Sequence, residues 1–365
     1  MSDGPAGARG PDGRPPFRIL VLNPGSMGTR IALFRDDEPE AEEELRHAPP
    51  PPGSSLWEQI PVRRAAILEF LERRGVAAVE LDAVVGRGGL LRPVEGGVYE
   101  VSDEMLRDAR SGVQGQHPAN LGAPLARQIA DVAGVQAFVV DPVSVDEFDP
   151  VARLSGLAGI RRRSLAHALS VHASVRALAE ETGRPWREMR AVVAHLGGGV
   201  SVCPVREGRI VDANNAVSEG PFSPQRSGGL PVQELLDLVY SGNHTEAEVR
   251  RMTVGQGGFV SYLGTDDLVQ VERRIETGDD RAELVFRAFV YQVAKEIGAM
   301  ATVLEGRVDA IVLTGGMARS RRLTEAVAER TRFLAPVRVI PIQELRALAR
   351  GALLVLRGEE SAQTY

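Results

Sequence analysis

The sequence lacks most of the features that mark secreted, membrane-spanning or nucleic-acid-binding proteins. Its 365 residues include one cysteine, Cys203, so no disulfide can form within the chain, as is usual in reducing compartments. We interpret Cys203 as a small buried apolar residue. No apolar run approaches the roughly 20 residues that cross a bilayer. The formal net charge is −6, whereas nucleic-acid binders usually present a basic surface. We therefore expect a cytoplasmic protein without nucleic-acid or membrane partners.

Lysine is almost absent as well, because Lys295 stands alone among 43 basic residues. A P-loop needs the pattern Gly-x-x-x-x-Gly-Lys, which this chain therefore cannot contain. The first 16 residues are rich in glycine, proline and arginine. They have no apolar stretch of the signal-peptide kind and are predicted to form a disordered tail.

The remaining sequence runs twice through the same order of predicted elements. Each half begins with a buried strand and a glycine-containing turn, and residues 17–26 parallel residues 189–198. LDAVVGRGG at 81–89 parallels VDAIVLTGG at 308–316 almost residue for residue. From apolar patterning and turn residues, we predict strands at residues 17–23, 30–34, 42–47, 81–85, 137–140, 191–195, 200–205, 209–214, 309–313 and 338–342. Helices are predicted at residues 61–74, 120–132 and 281–304, with a last helix from about 343.

A repeat of this length predicts two similar α/β domains. Each would have a mixed sheet of three antiparallel strands followed by crossover helices. Such domains place a cleft between them that glycine-rich strand ends face from both sides. We expect the N-terminal domain to span residues 17–155 and to include the last helix at about 345–358. The C-terminal domain, with the nucleotide-binding turns, is expected at residues 156–344.

Glycine-rich turns follow buried strands four times, at residues 24–28, 86–89, 197–199 and 315–316. Glycine lets backbone N–H groups approach an anion closely and tolerates positive φ. One such turn is weak evidence, because most are simply tight connections. Four of them at equivalent places in a duplicated fold favour a phosphate-binding site.

Six segments together resemble the butyrate kinase branch of the acetate kinase family. They are NPGSMGTR (23–30), GRGG (86–89), GQHPANLG (115–122), AHLGGG (194–199), EGPFSPQRSGG (219–229) and LTGGMARS (313–320). The resemblance runs in order from about residue 17 to 357. It implies the duplicated ribonuclease-H-like, actin-like fold of that family. It also implies reversible, ATP- and Mg²⁺-dependent phosphorylation of butyrate or a related carboxylic acid, and a homodimer or higher homo-oligomer.

The resemblance assigns catalytic roles to five side chains. Arg87 and Arg226 match arginines that hold the acid and the transferring phosphoryl group. His167 matches a histidine that stabilises the transition state, and His117 matches a second active-site histidine. Asp141 matches an acidic residue near the metal ion.

The remaining matches concern the nucleotide and its metal ion. Asn23 matches an asparagine that positions metal and phosphates, and Glu344 matches a metal-associated glutamate. Ser26 belongs to the first phosphate turn. The other nucleotide-binding matches are His195 with Gly197, Gly198 and Gly199 on the phosphate side, and Gly315 and Gly316 on the adenosine side.

The chemistry of phosphoryl transfer requires residues of these types. The transferring group spreads charge over three oxygens, so the protein must supply fixed cations and a metal ion. An arginine fork grips a carboxylate or a phosphate in plane. We interpret Ser164 as the N-cap of a helix with His167 in its first turn, where N–H donors and positive potential are added.

Several of these residues also have an ordinary structural interpretation. Arg87 could be a surface arginine, and His167 could pack on an apolar helix face. Asp141 precedes a proline and could simply end a strand. His172, five residues after His167, points to a different side of the helix, so the two do not form a metal-binding pair. We interpret His172 as structural.

The first turn departs from the family pattern, in which Ser-Thr-Ser-Thr-Lys usually follows the glycine. Here the residues are SMGTR (26–30), so a hydroxyl is missing at Gly28. We expect this change to weaken phosphate or metal handling, and a non-catalytic nucleotide-binding regulator therefore stays open. A sugar kinase or an ATPase of the same fold is the other alternative. A sugar kinase or ATPase would not be expected to have the equivalents of four residues within the same sequence segments: Arg87, His117, His167 and Arg226.

Two small residues predict a wide acyl pocket. Gly89 stands where acetate kinases usually carry valine, and Ala166 stands where relatives commonly have phenylalanine. Removing both side chains would open room beside the carboxylate for butyrate, isobutyrate or a branched five-carbon acid.

Overall fold

The computed structural model describes residues 15–48 and 54–365. The tail predicted for residues 1–16 lies almost wholly outside these ranges. The chain divides into two compact units, one ending at Ser144 and completed by Gln343–Tyr365, the other spanning Val145–Ile342. No helix within the described ranges is long and apolar enough to cross a membrane.

Both units are built on mixed sheets. The strands are β1 (Arg18–Pro24), β2 (Gly28–Arg35), β3 (Glu38–Arg46), β4 (Ala83–Arg87), β5 (Val98–Glu100), β6 (Gln136–Val140), β7 (Ala191–Leu196), β8 (Val200–Arg206), β9 (Arg209–Ile210), β10 (Ala310–Thr314) and β11 (Val337–Val339). The first sheet has the order β3-β2-β1-β4-β6-β5 and the second the order β11-β10-β7-β8-β9. In each, three antiparallel strands are followed by two parallel ones, as predicted. In the first sheet β5, which was not predicted, adds an antiparallel edge strand.

The two sheets share the same pairing register. In the first sheet Ile19 of β1 lies opposite Ala83 of β4. In the second, Ala191 of β7 lies opposite Ala310 of β10. These are the pairs that the sequence repeat makes equivalent, so the predicted duplication is confirmed at the level of individual residue pairs.

One predicted strand is much shorter than expected. The sequence predicted a strand at 209–214, but β9 spans only Arg209–Ile210. Beyond it, the side chain of Asn214 replaces the backbone ladder along β8. Its Oδ1 accepts from the N–H of Val202 at 2.6 Å, and its Nδ2 donates to the carbonyl of Val200 at 2.9 Å.

Helices cover both sheets. They are α1 (Ile60–Arg73), α2 (Asp103–Ser111), α3 (Gly122–Ala133), α4 (Ala168–Thr182), α5 (Val232–Tyr240), α6 (Glu246–Thr253), α7 (Gly258–Leu263), α8 (Leu268–Glu276), α9 (Asp280–Val303), α10 (Arg321–Thr331) and α11 (Glu344–Leu356). The insertion of α5 to α8 between β9 and α9 was not predicted.

The core of the first unit lies on both faces of its sheet. Leu20 and Leu22 pack in one apolar cluster with side chains of α1 and α3, such as Ile67. Ile19 and Val21 point to the opposite face and are also fully buried. Because α11 packs against β1, β4 and β6, the last helix of the chain completes this unit.

The segment after α11 is held to the same unit. Gln363 donates its N–H to the carbonyl of Val98 in β5 at 2.7 Å and accepts from the N–H of Glu100 at 3.2 Å. The hydroxyl of Tyr365 donates to Asp108 at 2.7 Å. The C-terminal segment therefore extends the edge of the first sheet.

The second unit has its own core. Every residue of β7 is buried, which is typical of a central strand covered on both faces. The 24-residue helix α9 packs on β7 and β8. Cys203 of β8 is completely buried, and burial raises the pKa of its thiol. Its interpretation as a structural apolar residue is confirmed.

Helix α5 is poorly covered by the rest of its unit. Neither α5 nor α6 has a buried residue. Four apolar side chains of α5, which we call the α5 face, are exposed: Val232 by 65%, Leu236 by 42%, Val239 by 41% and Tyr240 by 83%. A nine-residue helix with so little packing is marginal by itself.

Candidate active site

Strand ends and a helix start bring three predicted side chains together in the first unit. Asn23 lies near the end of β1, Arg87 ends the neighbouring β4, and Glu344 begins α11. The Nδ2 atom of Asn23 donates to Oε2 of Glu344 at 3.1 Å. The Nη1 atom of Arg87 lies 3.4 Å from Oε1 of the same carboxylate. Glu344 therefore links the other two.

Arg87 is not a surface arginine. Its side chain is only 7% exposed, and its Nη1 makes no hydrogen bond to any residue that the structure describes. A buried donor that makes no hydrogen bond costs free energy. The ion pair with Glu344 balances the charge of this guanidinium but leaves Nη1 without a hydrogen bond.

The space beside Gly89 is filled, so the expectation that it widens the acyl pocket is wrong. A Cβ atom at Gly89 would lie 2.2 Å from Oδ1 and 2.6 Å from Cα of Asn120. That Oδ1 accepts from the N–H of Leu90 at 2.8 Å, while Nδ2 donates to the carbonyls of Ala109 and Gly115. Glycine is required here because Asn120 approaches the backbone closely.

Two further predicted residues have clear local contacts. Asp141 has a φ of 38°, and its Oδ1 accepts from the N–H of Gly97 at 2.8 Å. The exposed His117 precedes the 3₁₀ turn Pro118–Leu121 and accepts from the N–H of Ala119 through Nδ1 at 3.1 Å. The catalytic roles assigned to Asp141 and His117 stay predictions.

In the second unit, two predicted histidines stack on each other. The ring centroids of His167 and His195 are 3.9 Å apart, and the ring planes differ by 9°. The Nδ1 atom of His167 lies 2.8 Å from Oγ of Ser201, which pairs with His195 between β7 and β8. The stacking and the hydroxyl contact together fix the orientation of the His167 ring.

His167 lies at the N-terminal end of α4, but Ser164 is not its N-cap as predicted. The helix begins at Ala168 with His167 in the cap position. The hydroxyl of Ser164 makes no hydrogen bond within the described chain. The first helical hydrogen bond runs from the N–H of Val171 to the carbonyl of His167 at 3.0 Å, so the cap position falls three residues after Ser164. The positive end of α4 therefore lies beside His167.

Arg226 is held against the first glycine turn of this unit. Its Nη1 donates to the carbonyl of Ala216 at 2.8 Å, and a Cβ atom at Gly199 would lie 2.4 Å from this nitrogen. The hydroxyl of Ser223 donates to the carbonyl of Gly198 at 2.7 Å and accepts from the N–H of Arg226 at 3.2 Å. Burial lowers the pKa of the Arg226 guanidinium.

The second glycine turn lies beside the first. Thr314 of β10 pairs with His195 of β7, so the two strands end together. Gly315 has a φ of 89°, and a Cβ atom there would lie 2.4 Å from the carbonyl oxygen of Leu196. Gly316 follows and is exposed. The structure thus groups, within this unit, His167, His195, Gly197–Gly199, Arg226 and Gly315–Gly316.

The profile of the acetokinase family matches residues 152–343, more than half of the chain. The chain belongs to the acetokinase family. An acetate kinase from Porphyromonas gingivalis is similar over 93% of this chain and 100% of its own, with 21% identity and a TM-score of 0.77. A propionate kinase from Francisella tularensis is similar over 92% of this chain and 98% of its own, with 18% identity and a TM-score of 0.74. An acetate kinase from Entamoeba histolytica is similar over 94% of this chain and 98% of its own, with 15% identity and a TM-score of 0.71.

These similarities confirm the predicted actin-like fold. The family profile confirms the acetokinase family, whereas the butyrate kinase branch stays a prediction. In this acetokinase-family chain, four side chains that support the site were not predicted: Arg63, Asn120, Ser201 and Ser223. The serines and the asparagine carry little sequence signal, because polar residues beside glycine turns are common. Arg63 does carry one. It lies three residues after Ile60 and four before Ile67, on the apolar face of α1, where a charge is unusual.

Proposed function

We propose that this chain transfers the γ-phosphoryl group of ATP to the carboxylate of a short-chain fatty acid, butyrate-like or branched, and catalyses the reverse reaction. The supporting observation is the buried Arg87, whose Nη1 is ion-paired with Glu344 at 3.4 Å but makes no hydrogen bond in the described chain. A carboxylate or phosphoryl oxygen would satisfy it, and arginine binds both in plane. We place the reaction in the cytoplasm, because the single thiol, Cys203, is free and buried, as in proteins of reducing compartments.

The reaction is a direct displacement without a phosphoenzyme. A carboxylate oxygen of the acid attacks the γ-phosphorus, the bond from that phosphorus to the bridging oxygen breaks, and ADP leaves with the electron pair. In the first unit, Arg87 would hold the acid or the group in transfer. Because charge spreads over the equatorial oxygens in the transition state, a fixed cation stabilises that state most.

In the second unit, Arg226 and His167 would stabilise negative charge that develops on the transferring phosphoryl group. Arg226 is fixed by its bond to the Ala216 carbonyl, and His167 by Ser201 and by stacking on His195. Groups that are oriented before the reaction need no reorganisation during it. The N–H of Gly197 donates to the carbonyl of Gly199 at 3.2 Å and closes the turn, so Gly198 and Gly199 would give their N–H groups to the nucleotide phosphates. Gly315 and Gly316 would approach the adenosine.

The residues of the first unit fit a magnesium ion that arrives with the nucleotide. Magnesium usually takes one or two carboxylates and keeps waters and substrate phosphates as further ligands. The carboxylate of Glu344 and the amide oxygen of Asn23 supply such a set, while Asp141 could orient a bound water. When bound, the ion would neutralise charge on the phosphates. The described residues contain no cluster of three or more acidic, histidine or cysteine ligands.

A preference for acids longer than acetate is supported by the resemblance to butyrate kinases and by Ala166. This small side chain is buried directly before His167, so the wall beside the histidine lacks a bulky group. The filled space at Gly89 gives no such support. The proposed substrate class therefore depends on Ala166 and on the sequence motifs.

We expect kcat/KM to be about tenfold higher for butyrate than for acetate, because two buried methylenes contribute roughly 0.8 kcal/mol each. Initial rates with acetate, butyrate, isobutyrate and isovalerate, measured as acyl hydroxamate formation, would test this. Ala166→Phe should reverse the order by filling the space, whereas Ala152→Phe, on a different segment, should not. A wild-type preference for acetate would contradict the proposed acyl preference.

We propose further that two copies of the chain associate through the α5 face. The exposed apolar side chains need cover, and α5 carries Glu234 and Asp237 while the last turn of α6 carries Arg250 and Arg251. A two-fold axis would let the acidic helix of one copy meet the basic turn of the other. A stable interface buries about 800 Å² per partner, which the α5 face and its surroundings would have to supply.

Sedimentation velocity at micromolar concentration should therefore give a dimer for the wild type. Leu236→Asp combined with Tyr240→Asp should give a folded monomer, because two buried charges would be unpaired at the interface. Phe333→Asp is the matched control, since Phe333 is 81% exposed but lies outside the α5 face. A dimer that survives the double substitution would place the interface elsewhere.

A further inference from the structure

Arg63 is a cation buried without a counter-charge. It heads the largest fully buried side chains of the described chain, and no carboxylate of the described residues lies within ion-pair distance of it. Burial lowers the pKa of its guanidinium. Taking a charge out of water is costly unless strong compensating bonds form. The hydrogen bonds of Arg63 therefore indicate which part of the structure this buried charge stabilises.

Within the described chain, the hydrogen bonds of Arg63 go to the first phosphate turn, to Thr29 just after it and to Gln59, which caps its own helix. Nη2 donates to the carbonyl of Gly25 at 2.8 Å and of Ser26 at 3.4 Å, and Nη1 donates to the carbonyl of Gly28 at 2.8 Å. The remaining acceptors are Thr29 Oγ1 at 2.8 Å from Nη1, and Gln59 Oε1 at 3.1 Å from Nε and 2.7 Å from Nη2. The guanidinium thus binds three carbonyls of one tight turn.

These bonds determine where the N–H groups of the turn point. In a planar trans peptide the N–H lies opposite the C=O, and the described chain has no cis peptide bond. Since the carbonyls of Gly25 and Ser26 point inward to Arg63, the N–H groups of Ser26 and Met27 point away from it. Both residues are exposed, and neither N–H donates to an acceptor within the described ranges.

The turn departs from the family pattern at Gly28 and Arg30, and neither residue offers a side chain that could replace Arg63 in supporting the turn. At Gly28 a Cβ atom would lie 3.0 Å from the carbonyl oxygen of Leu45 on the neighbouring strand, so a side chain fits poorly. Arg30 is exposed and paired with Glu42 at 2.8 Å. The positive charge behind the turn therefore comes from Arg63, which the low-dielectric interior screens less than water would.

We propose that Arg63 is the positioning residue of the first phosphate turn. By holding the carbonyls of Gly25, Ser26 and Gly28, it presents the N–H groups of Ser26 and Met27 to a phosphate of the nucleotide. It acts through the backbone and does not touch the substrate. This inference rests on the proposed function for the kind of ligand, but the shape of the turn depends only on the contacts given above.

Arg63→Met and Arg63→Lys test this role, with Arg64→Met as the matched control on the next residue of the same helix. Arg63→Met should raise the KM for Mg·ATP about tenfold and leave the KM for the acid within about twofold. By calorimetry, ADP binding should weaken by a similar factor. Backbone hydrogen exchange at residues 25–29 should become faster in Arg63→Met alone. Arg63→Lys keeps the charge but not the fork and should change the nucleotide KM about threefold.

The outcomes separate this inference from the proposed reaction. Nucleotide affinity and hydrogen exchange need no turnover, so a wild type inactive on carboxylic acids would overturn only the proposed reaction. If Arg63→Met does not fold, Arg63→Lys decides the question by the same two measurements. Equal losses for nucleotide and acid, or unchanged exchange at residues 25–29 in a folded variant, would show that Arg63 only stabilises the fold.

Discussion

Alanine at Arg87 or at Arg226 is expected to lower kcat/KM by about 10²–10³-fold, which corresponds to roughly 2.7–4 kcal/mol of lost transition-state stabilisation. The reason is that each guanidinium would contact charge that is concentrated in the transition state. Lysine should not restore the rate at either position, because a point charge lacks the planar fork that binds two oxygens. Steady-state kinetics with Mg·ATP and butyrate would measure both effects.

Two exposed arginines serve as controls for the removal of positive charge. Arg73 in the first unit has a side chain 47% exposed, and Arg321 in the second has one 86% exposed. Alanine at either should leave kcat/KM within about twofold, since surface ion pairs contribute little. If a folded Arg87→Ala or Arg226→Ala variant lost less than about tenfold, or ~1.4 kcal/mol, that arginine would not belong to the site.

A single methyl group at Gly199 should lower kcat/KM by about 10²-fold, because misplacing a catalytic group by about 1 Å can cost that much. The new Cβ would lie 2.4 Å from Nη1 of Arg226, so the guanidinium must move and lose its bond to Ala216. The backbone at Gly199 does not adopt positive φ, so alanine is tolerated there. Thermal unfolding should therefore stay close to wild type while the rate falls.

A double-mutant cycle checks that this loss is transmitted through Arg226. The variant Gly199→Ala with Arg226→Ala should be no slower than Arg226→Ala alone, because the group that the methyl displaces is already gone. Gly229→Ala is the matched control, since a Cβ atom there has only ordinary contacts at 3.7 Å or more. Additive losses in the double variant would mean that Gly199 acts by another route.

The central strands of both sheets could be predicted because their buried apolar residues are consecutive in the sequence. Residues 19–22 of β1 and 191–194 of β7 are apolar and buried without interruption, and strands of this kind lie at the centre of a covered sheet. The sequence repeat aligns the two strands residue by residue, so it predicts that they are equivalent, whereas their register against β4 and β10 was known only from the structure. Helices α5 and α6 were not predicted because they bury no residue, so the helical pattern is not fixed by packing within the unit.

The sequence identified individual residues of the candidate site, but it did not show which of their side chains contact each other. The motifs identified His167 and His195, but their stacking depends on how α4 packs against β7. Gly89 was misinterpreted for a related reason. A glycine can be small because a ligand needs room or because another part of the chain approaches, and only the position of Asn120 distinguishes the two.

The position of helix α11 at the end of the chain affects the order in which the two units can fold during synthesis. Its buried face, including Leu345 and Leu348, covers the sheet of the first unit, yet it is synthesised after the whole second unit. Domains that are continuous in sequence can fold during synthesis, so Val145–Ile342 can finish first. The earlier part must keep one face of its sheet uncovered until the ribosome has made residue 356. Glu344, the proposed metal ligand, is the first residue of the same helix, so the first unit gains its last helix and this carboxylate in one late step.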